Sequence, residues 1–121
     1  MKSALALIGR ILYALTLLVF GSGHFMNAKG MAGMVPIPGG VIWIYITGAG
    51  LIAAAISIII NKKAGLAGLL LGIMLLIFAL TIHLPGISSG DEMKSMMSMG
   101  NLMKDIAMSG AAFYMAGTLK D

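Results

Sequence analysis

Residues 64–85 read AGLAGLLLGIMLLIFALTIHLP, twenty-two positions whose one ionisable side chain is His83. A hydrocarbon layer about 30 Å thick takes roughly 20 apolar residues of α-helix, so this stretch is expected to cross a membrane. Alternation with a period of two is missing, and Leu, Ile, Ala and Gly dominate, which argues against a β-barrel strand. Working outward, three more stretches have the same character. Residues 41–60 carry no charge, residues 4–26 are interrupted by Arg10 and His24, and residues 99–119 form the last apolar run. The expected fold is all-α, an integral membrane four-helix bundle with short loops, built from one domain spanning residues 1–121.

Composition leads to the same class. Of 121 residues, 60% are hydrophobic and 10% charged, with a mean hydropathy of +1.02. A soluble domain carries about 25% charged residues, so this chain has too few to coat a surface facing water. The sequence has no cysteine, which excludes disulfide scaffolds, dithiol chemistry and thiolate metal sites. The net charge of +4 is spread over scattered residues with no aromatic platform beside them, so no nucleic-acid partner is expected.

The connections between spans differ in character. Asn27–Gly40 contains Gly30, Gly33, Pro36, Pro38, Gly39 and Gly40 and reads as an ordered or re-entrant loop. Asn61, Lys62 and Lys63 form a tight hairpin. After Pro85, which cannot continue a regular helix, Gly86–Ser98 begins as a turn. Met93, Met96 and Met97 then follow at helical spacing, which predicts a short interfacial helix before the fourth span.

Basic residues near the span ends set the expected orientation. Lys2, Arg10, Lys62, Lys63 and Lys120 fall on one side, and Lys29, Lys94 and Lys104 on the other. Both termini are therefore expected in the cytoplasm, with the protein in the inner membrane. The N-terminal segment resembles a signal peptide, but no A-x-A-like cleavage site follows it, so a retained helix is expected.

Close approach through small residues does much of the packing work in lipid. The predicted interior stripes are Arg10, Ala14, Leu17, Gly21 and His24 in the first span, and Thr47, Gly50, Ala54 and Ser57 in the second. In the third they are Gly65, Gly68, Gly72, Leu76, Ala79 and His83, and in the fourth Ala107, Gly110, Ala111, Tyr114 and Gly117.

Ionisable groups at membrane depth are candidates for function. At a rise of 1.5 Å per residue, His24, His83, Asn101, Lys104 and Asp105 share one layer near the outer interface, with Trp43 and Tyr45 at the same level. Structural readings stand beside the functional one. The imidazoles can bond to loop carbonyls, Lys104 can snorkel to headgroups, and Asp105 suits the first turn of a helix. Trp43 and Tyr45 fit an aromatic belt. Arg10 reads as an inner-side anchor to lipid phosphate or as a partner to another helix's C-terminal end.

Three segments, GRILYALTLLVFGSGHF, FALTIHLPG and NLMKDIAMSGAAFYMAG, together resemble the DoxX family of small four-span bacterial membrane proteins over nearly the whole chain. Positions matching Arg10, Gly21, His24, His83, Asn101 and Lys104 are typically polar or glycine in that family, whereas Asp105 often corresponds to asparagine. The resemblance implies an accessory subunit in quinone-linked redox metabolism, since a DoxX-type protein is the small subunit of a thiosulfate:quinone oxidoreductase. Related four-span proteins serve as assembly factors.

Three functions follow as expectations. The first is a quinone or other ligand site in the outer layer, where His24, His83 and Lys104 supply hydrogen-bond donors to a ring. Quinone is then the expected non-covalent cofactor, with a partner supplying electrons. The second is an assembly or partner-binding protein without catalysis, whose Met-rich loop grips a protein partner or a second copy of the chain. The third is Cu(I) handling through Met93, Met96 and Met97, against which methionine as ordinary apolar filler weighs more heavily. A proton-coupled drug exporter lacks the acid it needs in the first span. The serines lack a base for a hydrolytic triad.

Overall fold

In the computed structural model, residues 1–34 and 38–119 are described; Pro36 of the first loop and Lys120 of the charge comparison lie outside the described residues. The described chain is helical. Its elements are α1 (Lys2–Met26), α2 (Ala28–Met31) with a 3₁₀ turn over Ala32–Met34, α3 (Gly40–Ile60), α4 (Ala64–Phe78), α5 (Leu84–Ile87) and α6 (Glu92–Thr118). A π turn, Ala79–His83, joins α4 to α5 without a break in winding.

Three helical segments are long and apolar enough to cross a membrane: Lys2–Met26, Gly40–Ile60 and Ala64–Ile87. Their outward surfaces carry Leu5, Ile8, Leu12, Val19, Ile46, Leu70 and Ile77, each about half exposed or more. In water such a surface would be a severe liability, whereas in lipid it needs no cover, so the molecule is compatible with a membrane protein.

The helices associate as two close pairs, α1 with α3 and α4 with α6, which meet mainly along α3 and α4. Each pair is brought together by glycine. A Cβ on Gly21 would lie 3.1 Å from the Gly48 carbonyl, and one on Gly48 would lie 3.1 Å from the Gly21 carbonyl. On the other side, Gly68 faces the backbone of Ala112 and Ala116. The core between the pairs contains Ala14, Leu17, Leu51, Ala55, Ile58, Leu71, Leu75 and Ala112. The turn between α3 and α4 reverses within three residues because Asn61 and Lys63 both adopt left-handed backbone, at φ 55° and 56°. Asn tolerates that region better than most residues.

Several expectations are corrected. No separate interfacial helix precedes the last long helix: Met93, Met96 and Met97 lie in the first turns of α6, which runs unbroken to Thr118 and is not among the three segments of spanning character. Asp91 caps it by accepting from the Met93 N–H at 3.0 Å, and Ser95 Oγ donates to the Ile87 carbonyl at 2.7 Å, fastening this end to α5. Pro85 does not begin a turn: it lies directly after the π turn, and helical winding continues past it to Ile87. Leu76 is exposed, and Leu71 and Leu75 take the interior. On α3 the inward face holds Gly48, Leu51 and Ala55, while Gly50 is exposed and Thr47 and Ser57 are half-buried. On α6 the inward residues are Leu102, Asp105, Ser109 and Ala112, whereas Ala107, Gly110, Tyr114 and Gly117 face outward and Ala111 is half-buried. The α1 stripe has Ala14, Leu17 and Gly21 fully inward, with Arg10 and His24 half-buried at its ends.

Two side-chain hydroxyls tie helices together across the interior. Ser109 Oγ donates to the Gly72 carbonyl at 2.7 Å within the α4–α6 pair. Tyr13 Oη donates to the Met108 carbonyl at 2.6 Å and links α1 to α6. Tyr13→Phe should lower stability by about 1 kcal/mol, the usual net worth of such a bond. The shift is read as the midpoint of unfolding in a denaturing-detergent titration, and an unchanged midpoint would show that the tie carries no load.

Candidate functional site

Toward the end where α1 finishes and α3 begins, α1, α3, α4 with its π turn, and α6 all contribute walls to one space. A cleft of about 710 Å³ opens there, within the usual size range for a small-molecule site. Its inner margin is at Met108, next to the tie from Tyr13. Most of the wall is apolar. Val19 and Phe20 come from α1, Ile44 and Leu51 from α3, and Leu75 and Phe78 from α4.

The polar groups arrive from four segments. Asp105 is 3% exposed and lies between two partners. His83 Nε2 donates to its Oδ2 at 3.0 Å, and Lys104 Nζ lies 3.4 Å from its Oδ1. The same ammonium sits 4.5 Å from the centroid of the Phe20 ring, close enough for a cation–π contact. His83 reaches Asp105 from the end of the π turn. Such turns insert a residue into helical winding and recur at functional sites. Thr81 Oγ1, within that turn, donates to the Ile77 carbonyl at 2.7 Å.

His24 lines the opposite wall, on α1 just beyond the Gly21–Gly48 crossing. Its Nδ1 is 2.6 Å from the Phe20 carbonyl. A carbonyl only accepts, so Nδ1 carries the proton. Trp43 lines the cleft as well, with its Nε1–H donating to the Pro38 carbonyl at 2.8 Å. Thr47 Oγ1 donates to the Trp43 carbonyl at 2.7 Å. Asn101, one turn before Asp105, and Asn27, whose Nδ2 donates to the Gly23 carbonyl at 3.2 Å, also line the cleft.

The structure thus places His24, Trp43, His83, Asn101, Lys104 and Asp105 around one cleft. Tyr45 is not among its walls: it is 42% exposed and stacks on Phe25 with ring centroids 5.6 Å apart. Asp105 does not occupy a first helical turn, since α6 begins at Glu92, and the carboxylate is held by His83 and Lys104 instead. Arg10 lies at the other end of α1, with its buried Nε lacking a protein partner among the described residues. Met93, Met96 and Met97 are 62–67% exposed and lie outside the cleft lining. Among the described residues, no group of three His, Cys, Asp or Glu side chains is arranged to hold a metal ion.

Sequence reasoning missed Thr47 and Thr81 as cleft residues, along with Phe20 as the ring beneath Lys104. The Thr81 signal was present as a hydroxyl two positions before His83. Phe20, by contrast, is one of many apolar residues in its helix and carries no mark of its own. The chain matches no family model, no curated protein and no solved structure.

Proposed function

We propose that this protein is a DoxX-type inner-membrane protein crossing the bilayer four times, with both termini cytoplasmic. In this reading it binds a quinone-type ring in its cleft as an accessory subunit of a membrane redox system. The observation that carries the reading is the buried Asp105, paired with His83 and Lys104 on the wall of an otherwise apolar cleft. A buried carboxylate with its ammonium and imidazole partners is expensive to maintain at membrane depth, and an amphipathic ring with an isoprenoid tail matches its surroundings. The headgroup meets Lys104, Asn101 and the imidazoles, and the tail lies along the apolar wall and leaves between α1 and α6. Electrons come from a partner protein, and this chain supplies the ring's position and hydrogen bonds.

The test is a thermal melt of detergent-purified protein with and without a short-tailed benzoquinone and its reduced form. At least one form should raise the melting temperature. His83→Ala and Lys104→Ala should abolish that rise while leaving membrane insertion intact. No shift with either form, or a full shift in both variants, rejects the site.

A second reading has its own support in the exposed thioethers of Met93, Met96 and Met97 on the first turns of α6. Flexible thioether surfaces suit adaptable protein contacts, so an assembly role without catalysis is the alternative. Photo-crosslinking from position 96 or 97 in intact membranes should then capture one reproducible protein. A uniform lipid-only pattern removes this reading.

A further inference from the structure

We infer that the cleft selects the reduced, dihydroxy form of an aromatic ring over the corresponding dione. This inference rests on the ring-binding reading above and specifies which redox state the site recognises.

The argument is an account of protons. A wall that is to hold carbonyl oxygens needs free N–H or O–H groups. Here several such groups are already committed to the protein's own backbone, including one N–H of Asn27, which goes to the Gly23 carbonyl. The Trp43 indole N–H goes to the Pro38 carbonyl. The hydroxyls of Thr47 and Thr81 go to carbonyls one turn back in their own helices. The His24 Nδ1–H goes to the Phe20 carbonyl. The indole is a donor only and keeps nothing to offer, whereas the two hydroxyls and His24 keep lone pairs. A neutral imidazole that donates from one nitrogen accepts at the other, so His24 offers Nε2 as an acceptor.

His83 repeats the pattern with its nitrogens exchanged. Its Nε2–H is held by Asp105, which leaves Nδ1 as an acceptor in the neutral ring. The Lys104 ammonium already balances the Asp105 carboxylate, so a neutral His83 keeps the trio free of net charge, the less costly state away from water. Two imidazoles from separate segments, each with its second nitrogen left to accept, therefore border one cleft.

A hydroquinone satisfies this wall. Each hydroxyl can donate to a ring nitrogen while its oxygen still accepts from Lys104 or Asn101. A dione can use Lys104, Asn101 and the second N–H of Asn27, but it leaves the imidazole lone pairs unmatched, and an unmade hydrogen bond away from water is costly. The dimethyl ether of the hydroquinone has the same ring and tail and no proton to give, so it separates proton donation from hydrophobic fit.

The experiment is anaerobic calorimetry on the intact, detergent-purified protein at neutral pH, with three probes sharing one ten-carbon tail: an alkyl hydroquinone, the matching benzoquinone and the dimethyl ether. The expected order is hydroquinone tightest by about tenfold, with the other two similar, as one to two well-formed hydrogen bonds would give. The His24→Leu variant should reduce that preference severalfold. Equal binding of dione and hydroquinone, or tighter dione, overturns the selectivity while sustaining the ring-binding reading. A dimethyl ether as tight as the hydroquinone also overturns it, and so does a preference unchanged in His24→Leu. Failure of all three probes to bind overturns both the selectivity and the reading beneath it.

Discussion

Asp105→Ala should lower stability by about 3 kcal/mol and eliminate ligand-induced stabilisation together. Removing one member of a buried charged group is costly because the remaining members lose their counterpart but stay desolvated. Asp105 is 3% exposed, and its side chain accepts from His83 while lying beside Lys104. The side chain of Lys104 is 39% exposed and can turn toward solvent, which keeps the loss toward the lower end of the usual range. His83 has less freedom, with its side chain 12% exposed. Asp105→Asn retains an acceptor for His83 and should show about half the loss. The check is the unfolding midpoint of the three proteins in a denaturing-detergent titration, followed by a ligand melt of each. A wild-type midpoint for Asp105→Ala would mean that the trio is a coincidence of placement.

Gly68→Val should be more damaging still. A Cβ at this position would sit 2.7 Å from the Ala112 carbonyl oxygen and 3.1 Å from the Ala116 nitrogen. Both are backbone atoms of α6, so the clash can be relieved only by moving the helices apart. Overpacking ordinarily costs about 1–3 kcal/mol, and a contact with backbone belongs above that range. Separation would also strain the Ser109–Gly72 bond. Gly72→Val provides the contrast. Its neighbours at 2.7–3.0 Å are atoms of the Phe113 ring, and that side chain is 38% exposed and can swing outward, so a loss within the ordinary range is expected. Gly110→Ala, with nothing within 4 Å, should stay within about 0.5 kcal/mol of wild type. If the yield of folded protein is the same for Gly68→Val as for Gly110→Ala, the α4–α6 contact is not a close one.

Much of this arrangement was legible in the sequence, for reasons that differ by element. Apolar runs about 20 residues long announce helices of spanning length, and three of them occur as read. The α1 stripe was correct because Ala14, Leu17 and Gly21 coincide with both small size and helical spacing. The α6 face was misread because small residues mark a close contact only where a neighbour exists. Gly110 and Gly117 have none within 4 Å, whereas Leu102 and Ser109 are buried without being conspicuous. Counting residues by depth brought His24, His83, Lys104 and Asp105 to one level, but depth says nothing about azimuth. The pairing of His83 with Asp105 depends on the winding of residues 79–83, which no local pattern of polar and apolar residues encodes. Tyr45 shows the converse, since it has the right height and points elsewhere.

That widened winding over Ala79–His83 has a consequence for how the constellation can be gained or lost. It amounts to one surplus residue in the coil. Five residues wound at about 4.4 per turn sweep nearly the same angle as four at 3.6, so removing one position inside this segment would restore ordinary pitch and leave the imidazole on the side of its carboxylate. A residue lost from the regular turns of α4, by contrast, would rotate His83 roughly 100° about the axis and part it from Asp105, with every amino acid of the trio still encoded.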